Sequence, residues 1–306
     1  MQLSVVTTLY CSAPHIEEFY RRATESAKKI TENFEIIFVN DGSPDPSLEV
    51  AKKIFERDQR VKIIDLSRNF GHHKAVLCGL AHAQGEKVFF IDSDLEEAPE
   101  CITDFHEQLV SDNCDVVYGI QTSRNGHWFD RWAGKLAYRV FNVLCNLKTV
   151  PNHTSAILMT RRYIHALGLF VEREPFFMGI TVLTGFKQGA RTVIKTSKGT
   201  TTYTLAKRVS MVANMITSFS SMPLHVIFYT GLLVVFCSVF YALYLFIYRV
   251  FFAKTLDGWT SIMISVWFLG GLMILFIGVV GIYLARVFVE VKQRPNTIIR
   301  DIYERK

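Results

Sequence analysis

The stretch VFFIDSDLEEAPE, residues 88–100, sets five carboxylates directly behind an apolar run: Asp92, Asp94, Glu96, Glu97 and Glu100. The apolar run reads as a buried strand. In an extended segment residues i, i+2 and i+4 point the same way, so Asp92, Asp94 and Glu96 are expected to share a side, with Ser93 and Leu95 on the other. Three converging carboxylates repel one another unless a cation sits between them. Oxygen-only ligands suit Mg²⁺ or Mn²⁺, and Mg²⁺ typically combines one or two carboxylates with substrate phosphates. The expected chemistry is metal-assisted handling of a phosphorylated ligand. A solvated acidic turn that starts a helix at Pro99 is the other reading. It suits Glu97 and Glu100, and it suits Asp92 poorly because that residue directly follows Phe90-Ile91.

The elements that would position these groups alternate in type. LSVVTTL (3–9) precedes an amphipathic stretch from about Ile16 to Asn33, with Ser12 and Pro14 as start signals. EIIFVN (35–40) precedes SLEVAKKIFERD (47–58), and VKIIDL (61–66) precedes HHKAVLCGLAHA (72–83). KVFFI (87–91), DVVYG (115–119) and AILMT (156–160) follow. This alternation with apolar strands predicts a mostly parallel sheet covered on both faces. Ligands of such sheets sit beyond the carboxyl ends of the strands, here LYCSAP, NDGSPD, SRNFG and DSDLEE. NDGSPD alone also reads as a turn that caps the next helix. The first strand is not followed by GxGxxG, which disfavours a dinucleotide-binding site.

Half of the 306 residues are hydrophobic, and the excess is concentrated near the C-terminus. Leu224 to Tyr248 has no charged residue apart from a possible His225, and Ile262 to Ala285 has none. Each run exceeds the roughly 20 residues needed to cross a bilayer, so two membrane helices are expected. The start, MQLSVVTTLY, has no basic region ahead of an apolar stretch and does not read as a signal peptide. Six cysteines form no CxxC pair and no metal-ligand spacing; they read as small core residues in a reducing compartment. The Lys and Arg residues after the second apolar run and before the first put both termini inside and the 249–261 loop outside. The net charge of +6 then faces the inner leaflet. No basic–aromatic stripe of the nucleic-acid-binding kind is present.

FVNDGSPD, LSRNFGHHKAVLCGLAHAQG, FIDSDLEEAPE, DVVYGIQTSR and ITSFSSMPL ahead of two apolar runs together make a specific set. With them the chain resembles family-2 glycosyltransferases of the polyprenyl-phosphate sugar synthase type, over essentially its whole length. The resemblance implies a GT-A fold, an αβα sandwich that binds a nucleotide-sugar. It implies that Thr8, Tyr10, Asp41, Gly71, Lys74 and Ser93 line the nucleotide-sugar cleft with Asp92 and Asp94. Asp92 and Asp94 would hold the metal–diphosphate, Glu96 stands where the family usually has a metal-binding Gln, and Arg124 matches a phosphate-facing basic residue. The chain departs from the family's pattern at Cys11-Ser12, at Thr154-Ser155-Ala156-Ile157-Leu158 in place of GDFRL, at Met178, and at Thr201-Thr202. These departures cluster around the donor sugar and diphosphate. His72, His73, His127 and His153 read as structural or surface groups rather than ligands.

Residues 129–145 carry Phe129, Trp132, Leu136, Val140 and Leu144 at helical spacing, with Arg131, Lys135 and Arg139 as a second stripe. A basic and aromatic amphipathic helix suits a membrane surface; a core-packing helix with a solvated basic face is the alternative. The sequence therefore divides into a cytoplasmic GT-A domain (1–204, with 129–147 as an interfacial helix), a juxtamembrane helix (205–222), and a two-helix anchor with a basic cytoplasmic tail (223–306). The expected activity is inverting transfer of a hexose from a nucleotide diphosphate, such as UDP-glucose or a UDP-N-acetylhexosamine, to polyprenyl phosphate in the cytoplasmic membrane. Arg124, Arg131 and Lys135 would hold the acceptor phosphate, with Lys195 and Lys198 next in line. Homo-oligomers through the membrane helices fit this organisation. A catalytically degenerate paralogue that binds polyprenyl phosphate or a partner without turnover is the second reading.

Overall fold

The computed structural model describes residues 1–121, 153–175, 177–195, 220–252 and 258–305. The basic stripe Arg131, Lys135 and Arg139, together with Arg124, Lys198 and the stretch 205–219, lies outside the described residues. Two compact units are distinguished. One holds the described residues up to 195 together with 294–305, and the other holds 220–252 and 258–293.

The first unit is built on β1 (Leu3–Leu9), β2 (Phe34–Asn40), β3 (Val61–Leu66) and β4 (Lys87–Phe90). Every residue of the first three is buried, as expected of strands covered on both faces. Side chains alternate between two cores. Val5, Ile36, Phe38, Ile63 and Phe89 join one, whereas Val6, Ile37, Val39, Ile64 and Phe90 join the other. Helices α1 (Ile16–Lys28), α2 (Ser47–Arg57) and α4 (Cys101–Ser111) cover the first face through Phe19, Ile54 and Phe105. Phe19 meets Phe38 edge-on at 6.4 Å, and Phe105 meets Phe89 at 6.1 Å. The opposite face takes α3 (His72–His82), α5 (Arg161–Gly168) and α6 (Phe177–Leu183). A side chain on Gly79 of α3 would meet Val6 Cγ1 at 2.6 Å and Val39 Cγ2 at 2.8 Å, so a glycine there lets the helix lie close on the sheet.

The sheet is completed by β5 (Val116–Ile120), β6 (His153–Thr160), β7 (Gln188–Thr192) and β8 (Ile299–Tyr303), in the order β7-β5-β6-β4-β1-β2-β3-β8. β1 pairs in parallel with both β2 and β4. The chain therefore winds outward from β1 to β3, then returns to the other side of β1, making a topological switch point between β1 and β4. β6 runs antiparallel to both of its neighbours.

The tail differs from the sequence expectation. Residues 299–303 form the edge strand of the sheet, antiparallel to β3, whereas the sequence reads there as a basic cytoplasmic tail of the membrane anchor. Its basic residues have partners on this edge: Arg300 donates to Ser67 O at 2.7 Å and Arg305 to Glu56 O at 2.7 Å.

The second unit consists of α7 (Met222–Phe252) and α8 (Trp259–Lys292). Tyr283 Oη donates to Ser220 O at 2.6 Å. Phe228, Leu233, Ile274 and Val291 are all more than half exposed. Stretches within these helices, Met222–Tyr241 and Phe268–Lys292, are long and apolar enough to cross a membrane.

Candidate active site at the carboxyl ends of β1 and β4

The acids of residues 92–97 lie just past β4, at the switch point. Ile91 N–H donates to Val6 O at 3.2 Å, which still fastens the chain to β1. Ser93 Oγ then donates to Thr8 O at 3.0 Å. Beyond Ser93 the chain turns. Asp94 Oδ1 accepts the Glu96 N–H at 3.0 Å, and Leu95 adopts φ 60°. The side-chain alternation of an extended segment is thereby broken. Glu96 does not join Asp92 and Asp94 but pairs with Lys195 Nζ at 2.8 Å. Among the described residues no three His, Cys, Asp or Glu side chains come together as a metal-holding group. The predicted three-carboxylate face is thus corrected to two carboxylates and an ion pair.

Glu97 has a separate task. Its carboxylate is 1% exposed and accepts the N–H groups of Ser155 at 3.1 Å and Ala156 at 2.8 Å, with Lys195 Nζ at 3.8 Å. This fixes β6 against the turn and brings the Ser155 hydroxyl to Asp92 as a hydrogen-bond donor. Burial works against the charge of Lys195, but Glu96 and Glu97 outweigh it and hold the amine above its ordinary value.

At Asp92 the surroundings work against the negative charge. Burial pushes its carboxyl above the usual range; His72 and the Ser155 hydroxyl pull it down, and the charges of Asp94 and Glu97 push it further up. His72 Nε2 lies 3.7 Å from Asp92 Oδ1, and its Nδ1 lies 3.3 Å from Thr8 Oγ1. The imidazole therefore bridges the end of β1 and the end of β4. Behind it, burial and the neighbouring His72 pull His73 down to about 4, so His73 is neutral. A half-buried carboxylate faced by two more carboxylates is short of positive charge. A divalent cation bound by Asp92 and Asp94 would supply it, and their oxygen-only donor set fits Mg²⁺ or Mn²⁺ with phosphate oxygens completing the shell.

The loops after β1, β2 and β3 form one wall. Tyr10 is half exposed, and Cys11 takes φ 53° with its N–H donating to Ser43 Oγ at 2.8 Å. Ala13 N–H donates to Asp45 Oδ2 at 3.0 Å. Burial opposes the charge of Asp45, but hydrogen bonds from Ser43, Ser47 and Ala13 bring it down to about 2. Asp41, 2% exposed, accepts Phe70 N–H at 2.7 Å and Gly71 N–H at 3.1 Å. Gly42 (φ 58°) is needed where these loops touch, because a Cβ there would stand 2.4 Å from Arg68 C.

The structure thus gathers Thr8, Asp92, Ser93 and Asp94 at the switch point, with Tyr10 beside them in sequence, and joins Asp41 to Gly71. Lys74 instead lines a cavity of about 420 Å³ with Leu77, Cys78, Ala81, His82 and the tail residues Asn296, Thr297 and Ile299. Arg124, Arg131 and Lys135 lie outside the described residues. Sequence reasoning missed His72, Lys195, Glu97 and Ser155 as parts of one cluster. The available signal for His72 was its place as the first residue of α3, at a strand end already marked for chemistry.

Residues 4–168 match the profile of glycosyl transferase family 2. A chain of Mycobacterium tuberculosis (strain CDC 1551 / Oshkosh) is 48% identical over 99% of this chain and 89% of its own length. The bactoprenol glucosyl transferase of Shigella phage SfII is 30% identical over 98% of each chain. Among solved structures, glucosyl-3-phosphoglycerate synthase from Mycobacterium tuberculosis, in complex with phosphoglyceric acid, superposes with a TM-score of 0.50 at 16% identity, covering 71% of this chain and 78% of that one. The last likeness is one of fold, the GT-A αβα sandwich.

Proposed function

We propose that this chain, which belongs to glycosyl transferase family 2 and is a glycosyltransferase, moves a hexose from a nucleoside diphosphate onto polyprenyl phosphate at a bilayer surface. The observation that carries the reading is the placement of Asp92, with Asp94 beside it, at the β1/β4 switch point, the place where open α/β sheets bind their ligands. The near-full-length similarity to a bactoprenol glucosyl transferase supports the acceptor class. The apolar helices α7 and α8 support a bilayer setting, with both termini on the cytoplasmic side by their Lys and Arg content.

The reaction needs little from the protein beyond placement and charge. A phosphate monoester has its second pKa near about 6, so at neutral pH the acceptor is largely dianionic and requires no general base. Its oxygen attacks the anomeric carbon opposite the leaving group, through an oxocarbenium-like state. The C1–O bond to the donor diphosphate breaks, its electron pair stays with the nucleoside diphosphate, and the configuration inverts. A divalent ion bound by Asp92 and Asp94 would offset the charge of the departing diphosphate. Tyr10 presents an exposed ring to the base. Thr8, Ser93 and His72 fix the floor of the cleft, and Asp41 shapes the loop through Gly71, with Lys74 one helical turn on. Arg124, Arg131 and Lys135 are the proposed acceptor cradle, since placing both reactants in line is where such an enzyme gains rate.

Ser155 stands where the family's GDFRL pattern has an acid. Here its hydroxyl donates to Asp92, whereas a carboxylate would add one more negative charge beside Asp92, Asp94 and Glu97. The substitution is therefore compatible with turnover and speaks against a binding-only paralogue. Membranes that hold the chain should be incubated with a panel of radiolabelled nucleotide-sugars and the lipid phase extracted. Label should enter the lipid from one UDP-hexose and depend on added polyprenyl phosphate. No lipid label from any donor, with the chain intact and folded, would refute the reading.

A further inference from the structure

We propose that Arg300 is a positioning residue for the loop between β3 and α3, so that the C-terminal tail completes the donor side of the site. The functional part of this inference rests on the reading above; the structural part does not. β8 pairs Ile299 with Leu66 and Asp301 with Asp65. One step along β3 therefore matches two along β8, and Arg300 is the extra residue of a bulge. Bulges at sheet edges re-aim side chains, and this one turns Arg300 onto the end of β3. Its guanidinium donates to Ser67 O at 2.7 Å and faces Asp65 Oδ2 at 3.5 Å.

Ser67 is the point at which the chain leaves the sheet, and the tail holds it twice: its N–H also donates to Ile298 O at 2.9 Å. From there Arg68 and Asn69 press on Gly42. Phe70 and Gly71 give their N–H groups to Asp41, and the next residue is His72, facing Thr8 and Asp92. Asp65, 1% exposed, accepts Asn40 Nδ2 at 2.8 Å. Arg300 thus joins the ends of β2 and β3 to the start of the loop. Covering the sheet edge would need only the backbone pairing of β8. The fork of Arg300, which spans a strand end and a loop start, does more than that. Farther along α3, Thr297 hydrogen-bonds Cys78, and Lys74 shares the 420 Å³ cavity with the tail.

The test uses the purified full-length chain in lipid nanodiscs and reads two quantities. In R300A, hydrogen exchange of the Phe70 and Gly71 amides should accelerate about tenfold, as expected on loss of a charged hydrogen bond. The KM for the nucleotide-sugar should rise while that for polyprenyl phosphate stays at the wild-type value. R300K, which keeps the charge beside Asp65 without the fork, should fall between wild type and R300A, and it serves as the test if R300A does not fold. R305A removes a contact to Phe55 O and Glu56 O at the far end of the tail and should leave the same amides protected. Unchanged exchange at residues 67–71 in R300A and R300K, or an equal acceleration in R305A, overturns the assignment. Exchange is measured without turnover. A loosened loop in a chain that transfers no sugar would therefore remove the functional reading and leave the positioning role standing.

Discussion

Glu97→Ala is the substitution whose cost the structure defines best. The carboxylate is buried and accepts two backbone N–H groups, from Ser155 at 3.1 Å and Ala156 at 2.8 Å. Hydrogen bonds to a charged group contribute about 1.5–3 kcal/mol each, so losing both costs about 3–6 kcal/mol. Removing Glu97 also relieves part of the repulsion on Asp92, and Lys195 keeps Glu96 as its partner. These offsets leave a net loss of about 3–4 kcal/mol. For a unit of this size that lowers the melting temperature by about 6–16 °C. Glu97→Gln keeps one acceptor oxygen but turns an NH₂ toward the other N–H, and should cost about half as much. Thermal unfolding of the detergent-purified protein measures both. A Glu97→Ala melting point within about 2 °C of wild type would show that β6 is held against the acidic turn by something other than this carboxylate.

The remaining predictions concern acid stability, metal and topology. Burial opposes the charge of Asp58, but hydrogen bonds from Arg60 and Tyr20 bring it down from an ordinary 3.8 to about 2. The folded value is the depressed one, so the contribution of about 2 kcal/mol is present above pH ~4 and lost as pH falls toward ~2. Asp58→Asn should remove that acid-limb slope from melting curves, and an unaltered slope counts against it. Asp94→Ala should nearly abolish transfer, and EDTA should do the same to wild type reversibly; full transfer by metal-free membranes would dismiss the metal. A cysteine at Gly258, just ahead of α8, should react with impermeant thiol reagents in intact cells while tags at either end stay protected. The opposite pattern would reverse the orientation.

Much of this architecture was legible in the sequence because parallel strands covered on both faces leave unbroken apolar runs. LSVVTTL, EIIFVN, VKIIDL and KVFF each became a strand of the sheet. β8 was not legible, because IRDIY sets two charged residues side by side, follows no period of two, and as an edge strand buries none of its residues. Its pairing with β3 spans more than 230 residues of sequence, which no local pattern encodes. At the site, Asp92, Ser93 and Thr8 came together as their positions at strand ends predict. The acidic triad failed for a local reason: Asp94 accepts the Glu96 N–H and turns the chain, so the period of two stops one residue after Ser93. Lys195 was the missing partner, and it arrives from the segment just after β7. A lone lysine there has no sequence signal to tie it to acids a hundred residues earlier.

The central claim is that the bond broken is the one between the sugar and the donor diphosphate, with the lipid keeping its single phosphate. Purified chain, polyprenyl phosphate in vesicles and a UDP-hexose labelled in both the sugar and the β-phosphate test this directly. The account predicts one UDP released per sugar transferred, with the sugar label in the lipid and the phosphate label in water. Release of UMP with both labels in the lipid would mean transfer of a phosphosugar, and the proposed reaction would be wrong.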